Sequence, residues 1–156
     1  MKKVVIIGGG TGLSVMLRGM KHIDDIQLSA IVTVADDGGS TGRIRDSYQI
    51  PAMGDIRHVM CAMAEEESIF TELMNYRFDG EGDIAGHNLG NLLLLALSQT
   101  TGSFMEAIRT FSRVLKVRGK IIPSTLEIVT LFAIMEDGTI VRGEDNIPKF
   151  RNHIDR

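Results

Sequence analysis

Three observations predict a doubly wound, mostly parallel α/β fold of the Rossmann type, with a β-hairpin near the carboxyl end. Val4–Ile7 is a run of four β-branched apolar residues, the composition of a buried strand. Four of the next five residues are glycine, and Leu13, Met16, Leu17 and Met20 then recur at i, i+3, i+4 and i+7, one face of an amphipathic helix. After a turn at Asp24 and Asp25, Leu28–Val34 is a second β-rich run. Strand, helix and strand make a βαβ unit, which is right-handed almost without exception and brings its loops to one edge of the sheet. In open α/β sheets that edge is where ligands bind.

The glycine turn carries the first chemistry. Unpaired backbone N–H groups and the positive end of a helix dipole point at whatever lies over such a turn. A glycine there lets a phosphate approach the backbone with no Cβ in the way. Gly9, Gly10, Thr11, Gly12, Leu13 and Ser14 are therefore candidate phosphate-binding residues. One or two glycines would serve a ligand-free turn; this stretch has four in five. A P-loop needs a lysine directly after its last glycine, and none follows before Lys21. The dinucleotide pattern Gly-x-Gly-x-x-Gly is met at Gly8 and Gly10 but has Leu13 in third place. ATP hydrolysis is disfavoured, and no nicotinamide or flavin is expected.

Composition narrows the classes. A chain of 156 residues fits one domain with a sizeable core. A net charge of −3 carries no polyanion-binding signature, so nucleic acid is not an expected partner. The single cysteine, Cys61, rules out an internal disulfide and a cysteine metal cage, and its apolar helical context makes it a core residue. Four apolar residues before the glycines are too few for a signal peptide, and no apolar run reaches 18 residues, so no membrane span is expected and the location is read as cytoplasmic.

The second strand runs into Ala-Asp-Asp-Gly-Gly-Ser-Thr-Gly-Arg-Ile-Arg, residues 35–45. Asp36 and Asp37 are adjacent carboxylates, Gly38–Gly42 reads as a second flexible anion-type loop, and Arg43 is suited to bidentate phosphate binding. Carboxylates beside a phosphate site suggest a bridging divalent cation, with Mg2+ the candidate, or contacts to ligand hydroxyls. The bland alternative is a solvated loop capped by its aspartates.

Pro51–Asp55 is a turn ending in a good N-cap residue, Asp55, before a helix with Ile56, Val59, Met60 and Met63 on one face. Arg57 in its first turn faces either an anion or solvent. Glu65–Glu67 separates this helix from another over 68–75, and 77–83 is a polar glycine-rich loop. Residues 86–97 then form a mostly buried leucine-rich helix. His87, Asn88, Gly90 and Asn91 stand at its start, where an anion is favoured and buried polar groups need a partner. A helix follows Gly102 and Ser103. If the segment is extended, Lys116, Arg118 and Lys120 share one face and add charge to a phosphate site or line a solvated edge. Glu127–Met135 and Thr139–Arg142 form a hairpin around Asp137-Gly138.

Five ordered blocks together resemble a known family. They are Gly-Gly-Gly-Thr-Gly-Leu-Ser (8–14), Thr-Val-Ala-Asp-Asp-Gly-Gly-Ser-Thr-Gly-Arg (33–43), Gly-Asp-Ile-Arg (54–57), His-Asn-Leu-Gly-Asn-Leu (87–92) and Leu-Lys-Val-Arg-Gly-Lys-Ile-Ile-Pro-Ser-Thr (115–125). The chain is similar to the gluconeogenesis factor family, bacterial relatives of the 2-phospho-L-lactate transferase of deazaflavin cofactor synthesis. The resemblance implies a doubly wound fold, a nucleotide pocket and, in the bacterial branch, nucleotide-sugar binding with a role in cell shape on gluconeogenic carbon. It implies that the glycine loop and the His87 block hold the nucleotide, with Asp36 or Asp37 and Asp55 by the metal and acceptor. It also implies members about twice this long, so residues 1–156 are read as the nucleotide-binding, amino-terminal half of a longer fold.

Three functions are carried forward. The first is a regulatory protein that binds a nucleotide or nucleotide sugar and acts on morphogenesis, a homo-oligomer being allowed. The second is a phospholactate-type transferase using a nucleotide-activated substrate and a divalent metal. A nicotinamide-dependent oxidoreductase is the third and weakest. No residue is an obvious nucleophile or general base, so no catalytic residue is assigned, and the regulatory branch is preferred.

Overall fold

The computed structural model describes residues 1–66 and 68–156. Three strands, β1 (Lys2–Gly8), β2 (Ile26–Val32) and β3 (Lys120–Pro123), form one parallel sheet in the order β1-β2-β3. Ile6, Ala30 and Ile121 lie side by side across it. Six helices join them: α1 (Gly10–Met20), α2 (Gly39–Tyr48), α3 (Gly54–Met63), α4 (Ile69–Asn75), α5 (Leu89–Thr101) and α6 (Phe104–Val114). The antiparallel hairpin β4 (Phe132–Ile134) and β5 (Ile140–Arg142) follows, turned by Gly138 at φ 82°. The α/β class, the parallel sheet and the hairpin are as the sequence predicts.

Alternation along the strands sends Val4, Ile6, Leu28, Ala30, Val32 and Ile121 to one face of the sheet. There they share a core with Leu13 and Leu17 of α1, Ile56, Val59, Met60 and Met63 of α3, and Ile108 and Phe111 of α6. Leu17, Met60 and Met63 are fully buried, each removal from water being worth roughly 2 kcal/mol. The other face carries Val5, Ile7, Ile31 and Ile122, and three of these four are exposed.

Three local readings differ. The glycine-rich 38–42 segment is not a flexible loop: helix α2 starts at Gly39 and contains Gly42. A Cβ at Gly42 would stand 2.0 Å from the Asp37 carbonyl, so the glycine lets the first helical turn press on the preceding aspartate turn. Arg45 then donates to the carbonyls of Asp36 (2.7 Å), Ala35 (3.3 Å) and Val129, and Ile44 is buried. Tertiary contacts thus hold a helix whose local sequence does not ask for one.

Lys116, Arg118 and Lys120 do not form an extended, co-facial row. Lys116 sits in the left-handed region at φ 49°, and Arg118 turns back to Glu65 and the Lys21 carbonyl. Lys116 and Lys120 instead line a cleft of about 790 Å3 with Arg109, Arg113 and Ser112 of α6. It lies beside the start of β3, away from the carboxyl ends of the strands.

Each strand of the hairpin is only three residues long, so Glu127–Leu131 is irregular. The third helix ends at Met63, before the acidic triplet; Glu67, the last residue of that predicted break, lies outside the described residues. No described helix is long and apolar enough to cross a membrane.

Candidate functional site

Four helices begin around one point beyond the carboxyl ends of the strands. Gly9 caps α1, and a Cβ there would stand 2.1 Å from Thr33 Oγ1 and 2.4 Å from Asp55 Oδ2, so α1 and α3 meet at this glycine. A Cβ at Gly54, the first residue of α3, would meet Asp36 Oδ2 at 2.7 Å and Thr41 Oγ1 at 2.8 Å, which joins α3 to α2. Ser40 Oγ lies 3.2 Å from His87 Nδ1 and accepts from the Asn88 N–H at 3.1 Å, which joins α2 to α5. The glycines are there because side chains from neighbouring helix starts occupy the space.

None of α1, α2 and α3 has a side-chain cap, whereas α4, α5 and α6 are capped by Ser68, Asn88 and Ser103. A helix leaves its first N–H groups without intrahelical partners. Three uncapped starts side by side therefore present a set of donors and three dipole ends to the same region. Such a set of donors and dipole ends has the chemistry to receive an anion.

The predicted residues divide clearly. Gly9, Gly10, Thr11, Gly12 and Ser14 stand in the first turn of α1 or before it, with Gly10 at φ 64° and open space beyond its Cα. Ser14 Oγ donates to the Gly10 carbonyl at 3.2 Å. Leu13 is a correction: its side chain is buried in the core, and its position in α1 places its N–H in the helix's own hydrogen-bond ladder. Gly90 is another, since a Cβ there would press on the Met74 carbonyl at 2.5 Å and Arg57 Cδ at 2.6 Å; it is a helix-packing glycine.

Asp55 does not cap α3. Met53 holds the N-cap position, and Asp55 in the first turn accepts from Thr33 Oγ1 at 2.8 Å. Asp36 Oδ1 accepts from the Gly38 N–H at 3.0 Å, and Asp37 Oδ1 from the Asp145 N–H at 3.0 Å. Arg43 donates to the Ala85 carbonyl at 2.9 Å, which holds it beside the loop leading to His87. Asn88 accepts from the Asn91 N–H, and buried Asn91 donates towards Ser40 and Thr41.

Arg57, read from sequence as anion-facing or solvated, is neither. It is 5 % exposed and donates to Asn91 Oδ1 (3.2 Å), the Met74 carbonyl (3.3 Å), Asn75 Oδ1 (2.5 Å) and His58 Nε2 (2.7 Å). Burial lowers its pKa, and burial together with the Arg57 charge lowers that of His58, which suits neutral His58 as acceptor. The arginine clamps α3, α4 and α5 beneath the site.

Sequence reasoning missed Thr33, Ser40, Thr41, Gly54, Glu144 and Asp145. Burial raises the pKa of Glu144, and the charges of Asp36, Asp37 and Asp55 raise it further. Asp37 and Asp145 are 108 residues apart, so no local pattern could have joined them. Thr33 and Ser40 lay inside the quoted blocks, and only the closeness of the glycines shows their use.

Burial lowers the pKa of His87 first, and the Arg43 and Arg77 charges lower it further. The folded chain therefore binds fewer protons here than the unfolded one, and stability from this group is lost as pH falls through 6.5 towards the folded value. NMR titration should find His87 below its ordinary value of about 6.5 without ligand, and higher with bound sulfate. An unliganded value at or above 6.5 would contradict this electrostatic picture.

No three His, Cys, Asp or Glu side chains stand close enough to hold a metal among the described residues. Each of Asp36, Asp37 and Asp55 already has one oxygen committed to a hydrogen bond. Mg2+ commonly keeps one or two protein carboxylates plus waters and ligand phosphates. The donors here fit that shared arrangement and not an all-protein cage.

Known proteins give the context. The 2-phospho-L-lactate transferase CofD family matches residues 4–156. The chain is 49 % identical over 154 residues to the gluconeogenesis factor of Bacillus subtilis and 52 % identical over 154 residues to that of Listeria monocytogenes. These matches take in 99 % of this chain and 48 % of each relative, so the chain spans about half their length. A crystal structure of a protein from Bacillus halodurans superposes with a TM-score of 0.94 at 48 % identity, covering all of this chain and half of that one. With four of its five blocks brought to one sheet edge or the core beneath it, the chain belongs to the CofD family, and relatives about twice its length carry the name gluconeogenesis factor.

Proposed function

We propose that this chain forms the nucleotide-binding part of a cytoplasmic regulatory protein, one that senses a nucleotide sugar and acts on cell shape during growth on gluconeogenic carbon. The observation that carries the reading is the convergence of three uncapped helix starts, α1, α2 and α3, beside the capped start of α5. A diphosphate is the ligand group that can use several such starts at once. Arg43 and His87 flank it, and Asn88 and Asn91 hold the α5 end in place. The names of the relatives support the regulatory branch.

The second reading is a transferase of a phosphorylated group, favoured by the family description and by the four carboxylates Asp36, Asp37, Asp55 and Glu144 near one another. In that case one or two of Asp36, Asp37 and Asp55 would hold a Mg2+ together with ligand phosphates, where the ion would supply charge neutralisation for the transferred group. No side chain is assigned as nucleophile.

Calorimetry or thermal shift with uridine and guanosine nucleotides, their sugar conjugates and NAD decides between these readings. A nucleotide sugar should raise the melting temperature, and Arg43→Ala should weaken its binding about tenfold, the loss of one charge-assisted contact. Binding of NAD alone would sink both readings. Turnover of a nucleotide-linked phospholactate would decide for the transferase.

A further inference from the structure

The cleft between α6 and β3 stands apart from the anion site. It holds about 790 Å3, the size of a small-molecule pocket, and lies beside the start of β3, at the other end of the sheet from the helix starts described above. Arg109, Ser112, Arg113 and Lys116 recur at i, i+3, i+4 and i+7, so α6 and the turn that ends it form one wall. Lys120 joins them from β3. Glu106 is the single acid among the lining residues, so the wall carries four positive charges and one negative, a net +3 in a chain whose total is −3.

A solvated basic face is the ordinary account of exposed lysines and arginines, and it covers two of these four. Arg113 lies in the last turn of α6, where a cation offsets the helix dipole. Arg109 pairs with Glu106 at 2.5 Å, an exposed contact of little strength that a ligand can replace. Lys116 and Lys120 have neither role, since no carboxylate among the described residues pairs with either. Glu65, whose N–H donates to the Lys116 carbonyl, gives its side chain to Arg118 at 3.3 Å.

Lys116 also sits in an unfavourable backbone region. The Val117 N–H donates to the Ser112 carbonyl (2.9 Å) and the Lys116 N–H to that of Arg113 (3.2 Å), the two bonds of a Schellman ending. Lys116 takes φ 49° in it, the place that glycine fills most easily. A lysine held in the left-handed region, on the wall of a positive cleft, points to a use for its charge. The same two bonds occupy carbonyls that would otherwise repel an anion at the helix end. Ser112 adds a buried hydroxyl with no hydrogen-bond partner among the described residues.

We infer that this cleft is a second ligand site, for a small metabolite bearing two phosphate groups. Two phosphates bring roughly −3 to −4 at pH 7, which matches the excess charge of the wall. Arginine forks and lysine point charges are the groups that hold them, and Ile108 and Val117 offer a carbon skeleton an apolar floor. The site is independent of the reading of the Gly8–Gly12 turn.

Pyrophosphate is the probe, titrated into the 15N-labelled 156-residue chain while backbone amide shifts are followed by NMR. The amides of Ser112, Val117 and Gly119 should move together on one saturable curve, separate from any response of Gly10 and Gly39. Lys116→Gln combined with Lys120→Gln should weaken that curve about a hundredfold, roughly tenfold for each charge-assisted contact. The double variant should leave the melting temperature and the Gly10 and Gly39 response unchanged, because both lysines are exposed. Lys116→Gly should raise the melting temperature by about 1–4 °C while weakening binding about tenfold. Shifts linear in concentration that sodium chloride of equal ionic strength reproduces overturn the proposal, since they report screening alone. A curve that the two glutamine substitutions leave unchanged overturns it as well. Tighter saturation by citrate or by an acidic peptide than by pyrophosphate assigns the cleft to another occupant and also overturns it. A lower melting temperature in Lys116→Gly does the same, by showing that the lysine is there for the fold.

Discussion

Gly9→Ala is expected to destabilise the chain by about 1–3 kcal/mol, the range for inserting a methyl group into filled space. For a protein of this size that lowers the melting temperature by roughly 2–10 °C. The effect is steric and not conformational, because Gly9 has φ −157°, extended backbone open to any residue. The added carbon would stand 2.1 Å from Thr33 Oγ1 and 2.4 Å from Asp55 Oδ2, inside the 2.8 Å hydrogen bond those two atoms share. To make room, the start of α1 must move away from α3, which spreads the donors of the anion site. Nucleotide affinity should therefore fall at least a hundredfold. Thr33→Ala removes part of the obstruction, so the two substitutions together should cost less than their sum. An unchanged urea midpoint in Gly9→Ala would show that the two helix starts are not packed as described.

Arg57→Ala should cost about 3–5 kcal/mol. The loss combines a cavity where a nearly buried side chain stood with acceptors left unpaired at Asn75, Asn91, Met74 and His58. Arg57→Lys should recover little, since an ammonium on a flexible stem cannot replace a planar fork that serves three elements. A urea-unfolding free energy within about 0.5 kcal/mol of wild type would remove Arg57 from its place as the clamp under the site. Because Arg57 lies below the anion site and not in it, Arg57→Lys should change stability more than it changes nucleotide affinity at temperatures where it stays folded.

The strands β1 and β2, the helix between them and the glycine turn were legible because each is written in a local pattern: a β-branched run, a 3.6-residue stripe, four glycines. The α5 start was legible for the same reason, with Asn88 capping three residues ahead of Asn91. Helix α2 was not, since Gly39, Ser40, Thr41 and Gly42 are poor helix formers; burial of Ile44 and the three carbonyls gripped by Arg45 hold it. Arg57 looked like a surface residue because position in a first helical turn says nothing about which neighbours close over it. Gly90 looked like a ligand glycine because it stands beside His87, yet its missing Cβ serves Arg57 and Met74.

The sequence by itself determined the class of the fold, the glycine turn that opens α1 and the family, because turn chemistry, periodicity and motif spacing are local and ordered along the chain. Only the tertiary structure decided which polar residues serve the site. It joined Asp37 to Asp145, Thr33 to Asp55 and Ser40 to the α5 start, withdrew Arg57, Gly90 and the Leu13 side chain into the interior, and moved Lys116 and Lys120 to a separate cleft. Such pairings depend on how elements far apart in sequence pack, and a one-dimensional pattern does not contain that distance.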